Sequence, residues 1–167
     1  MSQSLLSVVM LLAAAVAAGA QPKPEPTVKD VLIEQWKDIG DKVVKLAEEF
    51  PEDKYEFKPA APVRTFADVL RHVAFWNDYV ARTARGEKVD GKPNELPKSE
   101  YRTKAQIVAA LERATNAGTA ELEKSKELSG KLVGLWSGFI GHSSEHYGQL
   151  VVYYRLNGIV PPASRTQ

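Results

Sequence analysis

The chain has no cysteine. Disulfides, thiolate metal ligands and a thiol nucleophile of its own are therefore excluded, and packing alone must hold the fold. It also lacks an excess of either charge: Lys and Arg number 22 against 21 Asp and Glu, with a net charge of +1. Both signs are interspersed, with no basic block or tail, which argues against nucleic acid as a partner. No apolar run is long enough to cross a bilayer comfortably, which takes about 20 residues. Histidine is scarce as well, with three in 167 residues.

The N-terminus differs in composition from the rest. Residues 5–18 are almost wholly apolar and uncharged, and Ala18-Gly19-Ala20 has the A-x-A form of a cleavage site. Residues 1–20 read as a secretory signal peptide, although residues 1–4 carry no Lys or Arg. The expected location is outside the cytoplasm, periplasmic or secreted, with no stable membrane insertion after cleavage. Residues 21–26 form a Pro-rich junction, and residues 27–165 remain for one domain.

Four helical segments follow, and no alternating strand pattern competes with them. The first spans residues 28–50, with Thr27 and Asp30 placed as a capping box and Pro51 closing it. Val28, Val31, Leu32, Ile39, Val43, Leu46 and Phe50 make its apolar face. The second starts at Thr65, with Asp68 as its capping partner, and ends at Gly86. Phe66, Val69, Leu70, Val73, Trp76 and Val80 face inward. Residues 86–102 form a long polar connection with Gly91, Pro93 and Pro97. Thr103 and Gln106 cap a third helix, which the Ser129-Gly130 pair breaks. A fourth runs over residues 132–156, stopped by Asn157-Gly158 and then Pro161-Pro162. The fold class is all-α, a four-helix bundle with a long connection between helices 2 and 3.

All three histidines fit one metal-ligand pattern. His142 and His146 lie four apart, so both project from one face of the fourth helix. They interrupt the apolar stripe Leu135, Phe139, Leu150 and Tyr153. Buried imidazoles need partners, at a cost of a few kcal/mol without them. His72, on the second helix and at the edge of its apolar stripe, can complete a three-nitrogen site for a divalent cation. Three protein ligands leave a position open for water or substrate. Hydrogen bonding to core groups is the simpler alternative for these histidines.

Glu145 completes the string His142-x-x-Glu145-His146, the pattern of inverted zinc proteases. Those enzymes need a downstream carboxylate ligand, and no Asp or Glu follows His146. Glu145 remains a candidate base beside the metal, or else the partner of a basic residue on a neighbouring helix. Gln149, one turn beyond His146, is a candidate to support the ligands from behind.

The segment Leu70-Arg71-His72-Val73 and the C-terminal run His142-Ser-Ser-Glu145-His146-Tyr147-Gly148-Gln149-Leu150 together resemble the DinB-like superfamily, in particular an exported bacterial branch. The resemblance covers residues 26–165. It implies a four-helix bundle whose metal ligands are His72, His142 and His146. It further implies zinc or nickel as the cofactor, a homodimer, and relatives that include thiol-dependent transferases. Two classes of function stay open. One is a metal-dependent hydrolase or transferase acting on a small-molecule substrate, with Glu145 assisting proton transfer. The other is a non-catalytic metal-binding or interaction module stabilised by its metal.

Overall fold

The structure, a computed structural model, describes residues 24–165. The signal segment 1–20 and residues 21–23 of the Pro-rich junction lie outside the described residues. Among those described there are four long helices and no strand: α1 (Val28–Glu49), α2 (Phe66–Ala84), α3 (Lys104–Lys124) and α4 (Gly130–Leu156). Two short 3-10 turns, Glu52–Lys54 and Pro162–Ser164, follow α1 and α4. Among the described residues no helix is long and apolar enough to cross a membrane.

Local chemistry sets the helix starts. Thr27, Thr65 and Thr103 each form a reciprocal capping box, with Asp30, Asp68 and Gln106 respectively. Each box satisfies orphan amides of the first turn. The α3–α4 boundary differs from the expected break at Ser129-Gly130. Helix α3 ends earlier, at Lys124, where the Ser125 hydroxyl donates to the Glu121 carbonyl over 2.8 Å. Ser129 is the N-cap of α4, its hydroxyl accepting from the Leu132 amide over 3.3 Å. A serine that reads as a breaker from one side is thus a starter from the other.

Contacts between the elements define the topology. The Lys29 ammonium, at the start of α1, donates to the Glu123 and Ser125 carbonyls at the end of α3. Lys104, opening α3, reaches the Phe50 carbonyl beyond α1. These helices are therefore antiparallel. Arg71 donates to the Tyr101 carbonyl near the starts of α2 and α3, and Arg85 pairs with Glu121 near their ends. Those two helices run parallel. Trp36 against Trp136 and Tyr154 against the Leu46 carbonyl make α1 and α4 parallel. Each of α1 and α2 packs on both α3 and α4, which places α1 and α2 on one diagonal.

The parallel α2–α3 pair explains the long connection. Helix α2 has 19 residues, a rise of about 28 Å at roughly 1.5 Å per residue. The chain must travel that distance back before α3 can start. Residues 86–102 can reach about 55–60 Å when extended, so the return leaves slack to drape over α2.

Close approach holds α1 against α3. A Cβ at Gly118 would lie 2.5 Å from Cζ2 of Trp36, and one at Gly40 would lie 2.3 Å from Cγ2 of Thr115. Trp36 is buried there, its indole N–H donating to the Thr115 carbonyl over 2.9 Å. On α1 the expected face is buried at Leu32, Ile39, Val43, Leu46 and Phe50, with Trp36 beside them, while Val28 and Val31 in the first turn are exposed. On α4 the buried line runs Trp136, Ser143, Leu150 and Tyr154. Of the expected stripe only Leu150 and Tyr153 are fully buried, and Leu135, Phe139, His142 and His146 are half-buried along its edge toward α2. Helix α4 has apolar residues on most of its circumference, so spacing alone did not single out the face that meets both α1 and α2.

Candidate metal centre

His72 is carried by α2, in the turn where α2 faces α4. His142 and His146 come from successive turns of α4. The structure brings the three together: their ring centroids form a near-equilateral triangle with sides of 4.9, 4.7 and 4.6 Å. The Nε2 atoms of His72 and His142 are 3.0 Å apart, and one nitrogen from each of the three rings lies within 4.8 Å of the others. Two ligands of a tetrahedral zinc ion, each at about 2.0–2.1 Å, sit about 3.3 Å from one another. The observed spacing brackets that value. Burial is the reverse of the expected pattern, since His72, placed by its spacing at a stripe edge, is buried, and the α4 pair is half-buried.

Hydrogen bonds on the far side of two rings select the tautomer. His72 Nδ1 lies 2.5 Å from the Asn94 carbonyl oxygen. A carbonyl only accepts, so Nδ1 carries the proton and Nε2 presents a lone pair to the triangle. His146 Nδ1 is 2.9 Å from Gln149 Oε1. The amide orientation follows from the next two links. Tyr153 donates its hydroxyl proton to the Arg64 carbonyl over 2.7 Å, so it accepts from Gln149 Nε2 at 3.1 Å. That turns Oε1 toward His146 and leaves its Nε2 free. The buried Nδ1 of His142 has no partner. Unpaired buried polar atoms are rare and need a reason.

Burial, as the dominant cause, pushes His72 and His142 down to about 4 from the ordinary 6.5. The Arg64 charge and the neighbouring imidazoles act in the same direction, and the Asn94 carbonyl opposes them at His72. At neutral pH these rings are therefore uncharged and available as donors without first releasing a proton. The donor set is all imidazole nitrogen, two of the three lone pairs are fixed by hydrogen bonds, and the spacing suits a small ion. The residues fit a divalent cation.

Other singled-out residues fall around this triangle in different ways. Gln149 lies directly behind His146. Glu145 is exposed on the same stretch of α4, makes no hydrogen bond or ion pair among the described residues, and is not one of the clustered donors. The helix-to-helix salt bridge considered for it is not formed. Asn94, Tyr153 and Arg64 were not foreseen as parts of the site. Asn94 sits in the connection 86–102, where there is no periodicity to read, and Tyr153 reads as core by spacing. Trp76 and Phe139 stack at 5.5 Å between centroids, and the His142 ring lies 6.2 and 5.9 Å from them.

Fold and centre together define a four-helix bundle with a three-histidine cluster between α2 and α4. Residues 35–152 match the family model of the DinB superfamily, and the chain belongs to that family. All three histidines lie within the matched residues. Comparison with curated proteins gives no match.

Proposed function

We propose that this protein binds one divalent cation, zinc or nickel, through Nε2 of His72, His142 and His146, and uses it to act on a small-molecule substrate as a hydrolase or transferase. The observation that carries this reading is the convergence of three imidazoles with two Nδ1–H groups already held from behind. A bound cation would supply Lewis acidity at a position left open by three protein ligands. On this reading Glu145 takes up a proton there. It follows one ligand by three residues and precedes the other by one, and its carboxylate is exposed and unengaged. On this reading residues 1–20 direct export and the bundle acts outside the cytoplasm.

A second reading has one observation in its favour. A cation would cross-link α2 to α4 at a point already tied to both neighbouring connections, through Asn94 and Arg64. In that case the metal serves stability and no substrate is turned over. Elemental analysis of purified protein, followed by an esterase, amidase and thiol-transfer panel, tests both. His142→Ala and His146→Ala should each lose the metal, and stoichiometric metal in either variant would sink the assignment. Glu145→Gln should keep the metal while activity falls by about 10²–10⁴. Fully loaded wild-type protein without turnover across the panel would leave only the second reading.

A further inference from the structure

Asn94 is the one non-glycine residue with a positive φ, at 63°, among the described residues. Asparagine tolerates the left-handed region better than other side chains, and residues held there tend to mark functional positions. Both of its oxygen acceptors are engaged on α2. The carbonyl receives His72 Nδ1–H at 2.5 Å, and Oδ1 receives the indole N–H of Trp76 at 3.1 Å. His72 and Trp76 are one turn apart on α2, so Asn94 clamps two adjacent rungs of one face. The chain on either side is seated by separate contacts. The Leu96 amide donates to the Arg71 carbonyl over 3.3 Å, Glu95 pairs with Arg64 at 3.3 Å, and Gly91 lies so near Trp76 that a Cβ there would be 3.1 Å from its Cη2.

We propose that Asn94 is the positioning residue of the three-histidine site, and that the connection 86–102 and a bound divalent cation stabilise each other through the His72 ring. The proposal rests on the metal-binding reading above. The chemistry runs through one imidazole. Only the Nδ1–H form of His72 satisfies the Asn94 carbonyl, and only that form offers Nε2 to a cation. A cation on Nε2 withdraws electron density from the ring and makes Nδ1–H a stronger donor to Asn94. Conversely, a carbonyl held against Nδ1–H fixes the ring's direction and raises its basicity as a ligand. Such a coupling is reciprocal: whatever the seated connection adds to cation affinity, the cation returns to the seating of the connection.

Asn94→Val and Asn94→Gly separate the carbonyl from the side chain. Valine resists a φ near 63° and displaces the carbonyl, whereas glycine accepts that backbone and loses only the bond to Trp76. With zinc as the probe, competition against a chromophoric chelator should show Asn94→Val about 10–100-fold weaker than wild type. Asn94→Gly should stay within about threefold of wild type. Zinc should slow hydrogen exchange of the amides in residues 91–96 in wild type and Asn94→Gly, and not in Asn94→Val. Equal zinc affinity in wild type and Asn94→Val, or exchange in 91–96 that ignores zinc, would overturn the coupling. Nitrogen chemical shifts of the histidine rings in metal-free protein test the positioning separately. They should report Nδ1–H at His72 in wild type and a tautomer mixture in Asn94→Val. An Nε2–H form of His72 in metal-free wild type removes the role of Asn94. Failure of the wild type to bind zinc, with His72 in the Nδ1–H form, removes the metal-binding reading and the coupling while leaving the positioning intact.

Discussion

Gln149 offers the sharpest single test of how the centre is supported. Its amide links His146 Nδ1, 2.9 Å away, to the Tyr153 hydroxyl at 3.1 Å, and Tyr153 in turn holds the Arg64 carbonyl. Gln149→Met keeps an unbranched side chain of similar volume and removes both polar ends. Two hydrogen bonds are lost, at roughly 0.5–1.5 kcal/mol each, so metal-free protein should be destabilised by about 1–3 kcal/mol. For a domain of this size that is a fall of roughly 3–8 °C in Tm. The larger effect is on the ligand. With no acceptor behind it, His146 loses its preference for the tautomer that presents Nε2, and zinc affinity should drop about 10–100-fold, or about 1.4–2.8 kcal/mol. Gln149→Glu is the control, because a carboxylate still accepts from Nδ1–H and makes the ring more basic. It gives up only the donor to Tyr153, so its zinc affinity should stay near that of wild type. Chelator competition at fixed pH, with Tm of the metal-free proteins measured alongside, gives the order. If Gln149→Met binds zinc as tightly as wild type, or Gln149→Glu is as weak as Gln149→Met, the support assigned to this relay is wrong.

Acid should act on the same centre in a defined direction. Folding holds His72 and His142 down to about 4, against an ordinary 6.5, so between those values the unfolded chain binds more protons than the folded one. The contribution of these rings is intact above pH 6.5 and is lost as pH falls toward 4. Metal-free Tm should therefore decline across that window more steeply in wild type than in a His72→Phe/His142→Leu double variant, and parallel curves would contradict the burial of these rings. Away from the centre, Gly118→Ala places a Cβ 2.5 Å from an indole pinned to the Thr115 carbonyl. Overpacking of up to about 3 kcal/mol, less the roughly 1 kcal/mol that alanine returns to a helix, should leave the variant about 2 kcal/mol less stable by urea titration. A stabilised Gly118→Ala would mean that α1 and α3 separate more easily than their packing implies.

The four helices were legible without coordinates because their signals are local. Thr27, Thr65 and Thr103 cap from within their own first turns, and Asn157-Gly158 ends α4 from within its last. The facing of His142 and His146 was legible for the same reason, since residues four apart on a helix share a side whatever surrounds them. The family assignment rests on strings of neighbouring residues and was legible too. The match over residues 35–152 bears it out. Which face of α4 turns inward was decided only by packing. Its apolar residues nearly encircle it, and the choice of the Trp136–Ser143–Leu150 line depends on α1 and α2 meeting it together. The same decision moved the histidine pair to the edge of the core and aimed it at α2, where His72 is buried. The parallel course of α2 and α3 was likewise tertiary, and from it follows a return connection that lays Asn94 against His72 and Trp76. A connection with no periodicity carries no mark of where it lands. Its landing point, and with it the tautomer of His72, is fixed by contacts between residues 22 apart in the chain.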